Sequence, residues 1–345
     1  MTTLKAYITD LLYNYNKDTN FNKEDADKDY ITILKQSRKT YLENFNKDIR
    51  FHHDENGIPK IIHLTCKDKY NIPAKYNDCL IKIRKLYHDY QIIIYDDQDI
   101  FKIVEYFDNK NIEKIKMIKI GAVLADIFRY LIIYLRGGYY FDMDCEPIQH
   151  IKHLSKRRFH GNKQNCFKIT NKVRNKTYEF HEQICDNCIL LNKTRGVKSY
   201  RCNGHQIINS DTKIILGKEF DKIWHKADFL NKNWIYNGIG ITQWFFAAVP
   251  YQSLFLVCYL KSLKRAVKYL INIKKTSDTF HFKVINSTGP LFFTRQIDEF
   301  NKKDNHFYKK IAVFEPDYFC FGSGTTVPET KNIFIKHHFY GSWLK

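Results

Sequence analysis

In the run YYFDMDCEP, Asp142 and Asp144 are separated by a single residue. Side chains alternate along an extended strand, so the two carboxylates share one face while Phe141 and Met143 take the other. Two acids side by side repel each other unless a positive group joins them. Hard oxygen ligands suit magnesium or manganese, ions that also grip diphosphate oxygens. By itself such a triplet is more often a solvated strand end with two surface acids. A second charged feature precedes it. In AVLADIFRYLIIYLRGG, Asp126 and Arg129 are three residues apart and Asp126 and Tyr130 four apart, on one face of an otherwise apolar segment. A charged pair in such a helix is costly unless it is paired or used, which leaves a buried structural ion pair and a functional site as the two readings.

These groups need elements to hold them. IPKIIHLTC, introduced by Gly57 and Pro59, reads as a buried first strand. Residues 74–90 carry apolar side chains at helical spacing, and QIIIYDD follows as a second short strand. The order strand, helix, strand predicts a parallel α/β sheet. Residues 112–136 continue with long helical periodicity that ends at Gly137 and Gly138, delivering the chain into YYFDMD as another strand. Residues 1–57 are polar and charged and read as a helical N-terminal extension. The stretch at about 152–232 is basic and Asn-rich and reads as an insertion; apolar character resumes at Trp234. The expected organisation is an extension over 1–57 and a catalytic α/β domain over 58–345 that carries the insertion. No internal repeat is visible.

The chain has 345 residues, 44% of them hydrophobic, which is a globular composition. Its 56 Lys+Arg against 37 Asp+Glu give a net charge of +19, which invites a nucleic acid, an anionic membrane surface or a phosphorylated ligand. Abundant Lys, Asn, Ile and Tyr are also what AT-rich codon usage produces, so the charge names no partner. A basic nucleic-acid-binding protein is one alternative, though no helix-turn-helix, zinc-finger or single-strand-binding signature is seen. A metal-dependent nucleotidyl or phosphoryl transferase using Asp142 and Asp144 is another, though there is no G-x-x-x-x-G-K-[ST] loop. The N-terminus lacks the basic start and apolar core of a signal peptide, and the uncharged stretch 233–260 is interrupted by Pro250 and reads as buried core. The expectation is a cytoplasmic protein, in its own cell or a host's, with reduced thiols and no membrane span. Cys185 and Cys188 form one C-x-x-C, with Cys166, His181, Cys202 and His205 nearby; tetrahedral zinc usually needs two such pairs, so structural zinc is not expected.

The segment A-x-x-A-D-x-x-R-Y-x-x-x-Y-x-x-G-G-x-Y-x-D-x-D, here AVLADIFRYLIIYLRGGYYFDMD, resembles the DXD sugar-binding region of glycosyltransferase family 32. That family is related to the yeast initiating α-1,6-mannosyltransferases, the capsular sugar transferases and, distantly, the glucosylating clostridial toxins. IPKIIHLTCK resembles its first strand, STGPLFFTR (287–295) its T-G-P element, and FEPDYFCF and IKHHFYGSW its closing pieces. The resemblance implies a GT-A fold, a mostly parallel Rossmann-like sheet flanked by helices. It also implies transfer of a sugar from GDP-mannose or a UDP-hexose to a glycan, protein or lipid hydroxyl, with retention and with a manganese or magnesium ion.

Carried over, Asp144 would bind the metal and Asp142 would face the ribose, the sugar or the metal. Asp126 and Arg129 would hold the donor sugar and orient the diphosphate, and Ile62, His63, Leu64 and Thr65 would line the base pocket, largely through backbone. In the C-terminal HHFYGSW, His338 is the favoured third metal ligand, on its H-x-x-G spacing, with His337 the alternative; a histidine ligand favours manganese. Ser342 and Trp343 would touch the diphosphate and cover the sugar. Two positions depart from the family: Cys66 stands where it has an aromatic residue, and Gln243 where it has an Asn expected on the donor sugar. The mechanism implied is a front-face displacement in which the departing phosphate oxygen helps deprotonate the acceptor.

Overall fold

The structure is a computed structural model that describes residues 52–155, 165–173, 176–181, 188–194, 197–202, 208, 211–221, 239–273, 279–303, 307–314, 316–319 and 333–340. The expected N-terminal extension lies almost wholly outside the described residues. The chain divides into two compact units, one built from the residues up to His150 and from Lys213 onward, the other spanning Ile151–Thr212.

The first unit is organised by a mixed six-stranded sheet. Its strands are β1 (Ile61–Thr65), β2 (Gln91–Tyr95), β3 (Gly138–Phe141), β9 (Ile214–Asp221), β10 (Ile239–Ala248) and β11 (Ile311–Phe314), in the order β11-β9-β10-β3-β1-β2. β1 pairs parallel with β2 and β3, and β11 pairs parallel with β9, while β10 runs antiparallel to both its neighbours. Five carboxyl ends therefore open on one edge, the place where α/β sheets bind ligands. A short ladder of β4 (Cys145–Pro147) and β12 (Ile335–His337) lies beside the sheet. β1 and β3 read as continuous apolar runs because both their faces are covered.

The helices are α1 (Asn77–Leu86), α2 (Asp97–Asp108), α3 (Ile112–Lys116), α4 (Gly121–Arg136), α5 (Ser253–Tyr269), α6 (Phe280–Ser287), α7 (Pro290–Lys303) and α8 (Pro316–Phe319). Asp96 starts α2 with a reciprocal capping box to Asp99. α4 is buried along most of its length and packs on α5, with Tyr130 stacked on Phe246 at an interplanar angle of 8°. Gly137 and Gly138 (φ 63° and 90°) turn α4 into β3; a Cβ at Gly138 would lie 2.7 Å from the Ile61 carbonyl. Only glycine fits that approach in that conformation.

The second unit is a four-stranded antiparallel sheet in the order β6-β5-β8-β7, from β5 (Asn165–Val173), β6 (Lys176–His181), β7 (Cys188–Thr194) and β8 (Val197–Cys202). The insertion expected over about 152–232 thus meets a unit that ends at Thr212, and β9, inside that stretch, is a strand of the large sheet. Of the cysteine and histidine cluster, Cys185 and His205 lie outside the described residues. Among the described residues, no helix is long and apolar enough to cross a membrane.

Candidate functional site

α4 and the turn that follows β3 bring the four charged residues of the sequence pattern together at the carboxyl edge; Asp142 and Asp144 lie past the end of β3, in the turn before β4, and not on the strand that the sequence predicted. Arg129 Nη2 lies 3.2 Å from both Asp126 Oδ1 and Asp142 Oδ1, Nη1 donates to the Gln243 carbonyl at 2.8 Å, and the guanidinium sits 4.7 Å over the Tyr140 ring. Tyr140 OH donates to Asp142 Oδ1 and meets Thr65 Oγ1 at 2.8 Å. Burial works against the charge of Arg129, but Asp142, Tyr140 and Asp126 outweigh it and hold the guanidinium protonated. Burial pushes the Asp126 carboxyl up to about 6, opposed by Arg129 and by the Thr288 hydroxyl, which donates to Asp126 Oδ2 at 2.8 Å. Thr288 belongs to the T-G-P element and ties α6 to the charged pair.

Asp144 faces the C-terminal ladder. Its Oδ1 lies 3.0 Å from His337 Nε2, its Oδ2 accepts the Tyr340 N–H at 2.9 Å, and its backbone carbonyl accepts the His338 N–H. Burial would raise this carboxyl, but the His337 contact and the Tyr340 N–H bring it below its ordinary value. Asp142, Asp144 and His337 offer ligand atoms that all lie within 4.8 Å of one another. Two carboxylate oxygens and an imidazole nitrogen are a donor set that fits a divalent ion with some tolerance for nitrogen, as manganese has.

His338 is placed differently: its Nε2 lies 2.8 Å from Glu146 Oε2 and its ring stacks on Tyr340. The reason is alternation along β12. Ile335 and His337 point inward and Lys336 outward, so the adjacent histidines cannot face the same way. That period of two was available in IKHH and distinguishes the pair better than the spacing to Gly341 does. His337 stacks on Trp244 at 4.7 Å and 7°. Its Nδ1 and the Trp244 Nε1 are buried with no hydrogen-bond partner among the described residues.

The side chains of the residues expected along the base pocket point to different places. Ile62, His63 and Leu64 are wholly buried, their side chains in the core. Burial, with Arg136 nearby, lowers the His63 imidazole to about 3 against the Gly137 carbonyl, so the ring is neutral. Neutral His63 donates from Nε2 to Gly137 O at 2.9 Å and accepts at Nδ1 from Tyr95 OH, bracing β1 against the glycine turn. Thr65 alone of the four reaches the charged cluster through its side chain. Gln243 Nε2 donates to Tyr130 OH and to the Thr288 carbonyl, each at 2.7 Å, so this amide group orders the pocket wall. Ser342 and Trp343 lie outside the described residues.

Glu219, at the carboxyl end of β9, was not singled out by the sequence. It is partly buried and lies within electrostatic reach of His337 and Asp142. Burial pushes its carboxyl up to about 7, with His337 opposing and Asp142 adding to the rise.

Comparison with known proteins finds a family over part of the chain. Residues 73–160, which contain Asp126, Arg129, Asp142 and Asp144, match the family described as a glycosyltransferase sugar-binding region containing a DXD motif. An initiation-specific alpha-1,6-mannosyltransferase of Schizosaccharomyces pombe is 26% identical over 121 residues, covering 34% of this chain and 30% of the relative. The match thus spans under a third of that relative's length. The PaToxG glycosyltransferase structure overlaps 82% of this chain and 81% of its own, at 15% identity and a TM-score of 0.35, too low a score to bear on fold. The glycine turn into β3 and the two acids that follow the strand lie inside the matched residues.

Proposed function

We propose that the chain is a metal-dependent glycosyltransferase of GT-A type that moves a sugar from a GDP- or UDP-sugar to a hydroxyl of a glycan, protein or lipid, with retention of anomeric configuration. The observation that carries this reading is the gathering of Asp142, Asp144 and His337 at the carboxyl edge, within reach of Arg129, by a segment of the DXD family. A divalent ion held there would neutralise the diphosphate as it leaves the sugar. The protein's own groups do the rest. Arg129, kept cationic by Asp142 and Asp126, faces the same developing negative charge from the sheet side. Asp126, fixed by Thr288, offers acceptor oxygens to donor hydroxyls. The imidazole of His337, held in plane by Trp244, favours manganese over magnesium.

A donor panel tests the reading: GDP-mannose, UDP-glucose, UDP-galactose and UDP-N-acetylglucosamine, each with manganese and without acceptor, followed by chromatography of the nucleotide released. Slow release of nucleoside diphosphate from at least one donor, abolished by EDTA, is expected. Release of pyrophosphate would instead favour nucleotidyl transfer, and tight salt-sensitive RNA or DNA binding without turnover would favour a nucleic-acid role.

A further inference from the structure

A bulge in the large sheet sets Glu219 apart from the other site acids. In the β9/β10 ladder Gly240 pairs with Phe220 and Ile241 with Lys218, so Glu219 is the extra, unpaired residue of β9. The next paired position is Phe246 with Leu216, so β10 also bows outward, over the residues that include Gln243 and Trp244. Thr242 Oγ1 closes that bow by donating to the Phe245 carbonyl at 2.8 Å. Bulges re-aim side chains and gather beside active sites. These two bend the adjoining strands at the level of Asp142, whose N–H donates to the Trp244 carbonyl at 2.9 Å.

The other carboxylates of the edge already have work. Asp126 is held by Arg129 and Thr288, Asp142 by Arg129 and Tyr140, and Asp144 by His337 and Tyr340. Glu219 has no hydrogen-bond or ion-pair partner among the described residues, although it lies near Asp142 and His337. Trp244 Nε1 and His337 Nδ1, on stacked residues only 4% and 7% exposed, are likewise unpartnered among the described residues. Unpaired buried polar groups are costly, and their concentration on one side of a site marks where a ligand supplies the partners.

Resting on the reading above, the geometry points to Glu219 as a further catalytic residue, a carboxylate that faces the donor sugar and stabilises the positive charge growing at its anomeric carbon. In that step the bond from the anomeric carbon to the phosphate oxygen breaks with its electron pair leaving on the diphosphate. The bond to the acceptor oxygen forms, and the acceptor's proton passes to the departing phosphate oxygen. Glu219 acts in its ionised form, which its raised carboxyl reaches above about pH 7, and forms no bond. Neutral Trp244 Nε1–H would serve the same sugar as a hydroxyl-directed donor.

The test uses the full chain, manganese and whichever nucleotide sugar the wild type hydrolyses. Glu219→Gln keeps shape and removes charge; it is expected to lower kcat about 30-fold or more while KM for the donor and the affinity for the matching nucleoside diphosphate stay within about 3-fold. Glu219→Asp, which restores the charge on a shorter stem, is expected to recover part of kcat. Turnover by Glu219→Gln within about 3-fold of wild type overturns the proposal, as does an equal loss of diphosphate binding and turnover, which marks a structural or metal-side role. Should Glu219→Gln fail to fold, the Asp variant decides: a kcat no lower than wild type with donor binding intact overturns the proposal. A wild type that turns over no donor overturns the glycosyltransferase reading itself, a separate outcome.

Discussion

At the scale of single residues, the two faces of the DXD pair have different partners. Asp142 answers to Arg129 and Tyr140, and Asp144 to His337 and Tyr340. This separates the two adjacent histidines. His337→Ala should weaken manganese binding, read by calorimetry, at least 10-fold, while His338→Ala, which removes a contact to Glu146, should change it less than about 3-fold. The reverse order would move the metal site to the other side of β12. Thr288→Val removes the hydroxyl on Asp126 without changing volume much. It should raise KM for the donor sugar several-fold and leave manganese affinity unchanged, and kinetics with the turned-over donor check it. Asp126, Arg129, Asp142 and Asp144 were legible because they fall within one short run of sequence, a helix, a glycine turn and a strand, although the two acids sit in the turn just past β3 and not on it. Glu219 and Thr288 were not, since each reaches the cluster from a distant part of the chain, and only the sheet register and the position of α6 bring them there.

At the scale of elements, the strand, helix and strand order and the glycine stop after α4 could be read directly from periodicity. β9 could not: IILGKEFD sits among basic, Asn-rich residues, and its membership of the large sheet depends on pairing with β10 and β11. The glycine turn gives a sharp test. Gly138→Ala puts a methyl 2.7 Å from the Ile61 carbonyl at a φ of 90°, so it should destabilise the fold by about 2 kcal/mol or more, read as a lower urea midpoint.

A second element-scale prediction concerns Asp108 at the end of α2, whose Oδ2 accepts from Tyr259 of α5 and from Asn111. Burial pushes its carboxyl from 3.8 up to about 6, opposed by those two donors. A raised acid binds its proton more tightly in the folded state. Its contribution to stability is therefore complete below about pH 4 and is lost as pH rises through about 6. Relative to Asp108→Asn, the wild type should lose stability with a slope of up to roughly 1.4 kcal/mol per pH unit between those values and then run parallel. Parallel curves across that whole range would show that the carboxyl titrates normally.

At the scale of the molecule, the net charge of +19 is the most conspicuous feature of the sequence, yet the site depends on a few acids opposed by one arginine. A basic surface can still draw an anionic donor toward the edge, an effect that fades with salt. The chemistry is local, and its hinge is Asp144, where strand, ladder and C-terminal segment meet. The most direct measurement is release of nucleoside diphosphate from a nucleotide sugar by wild type and by Asp144→Asn, with manganese and after EDTA. Wild-type release that EDTA stops, with a loss of 100-fold or more in a variant that melts normally, is the expected result. Release by Asp144→Asn close to wild type, or wild-type release indifferent to EDTA, would contradict a metal-dependent transfer site built on this residue.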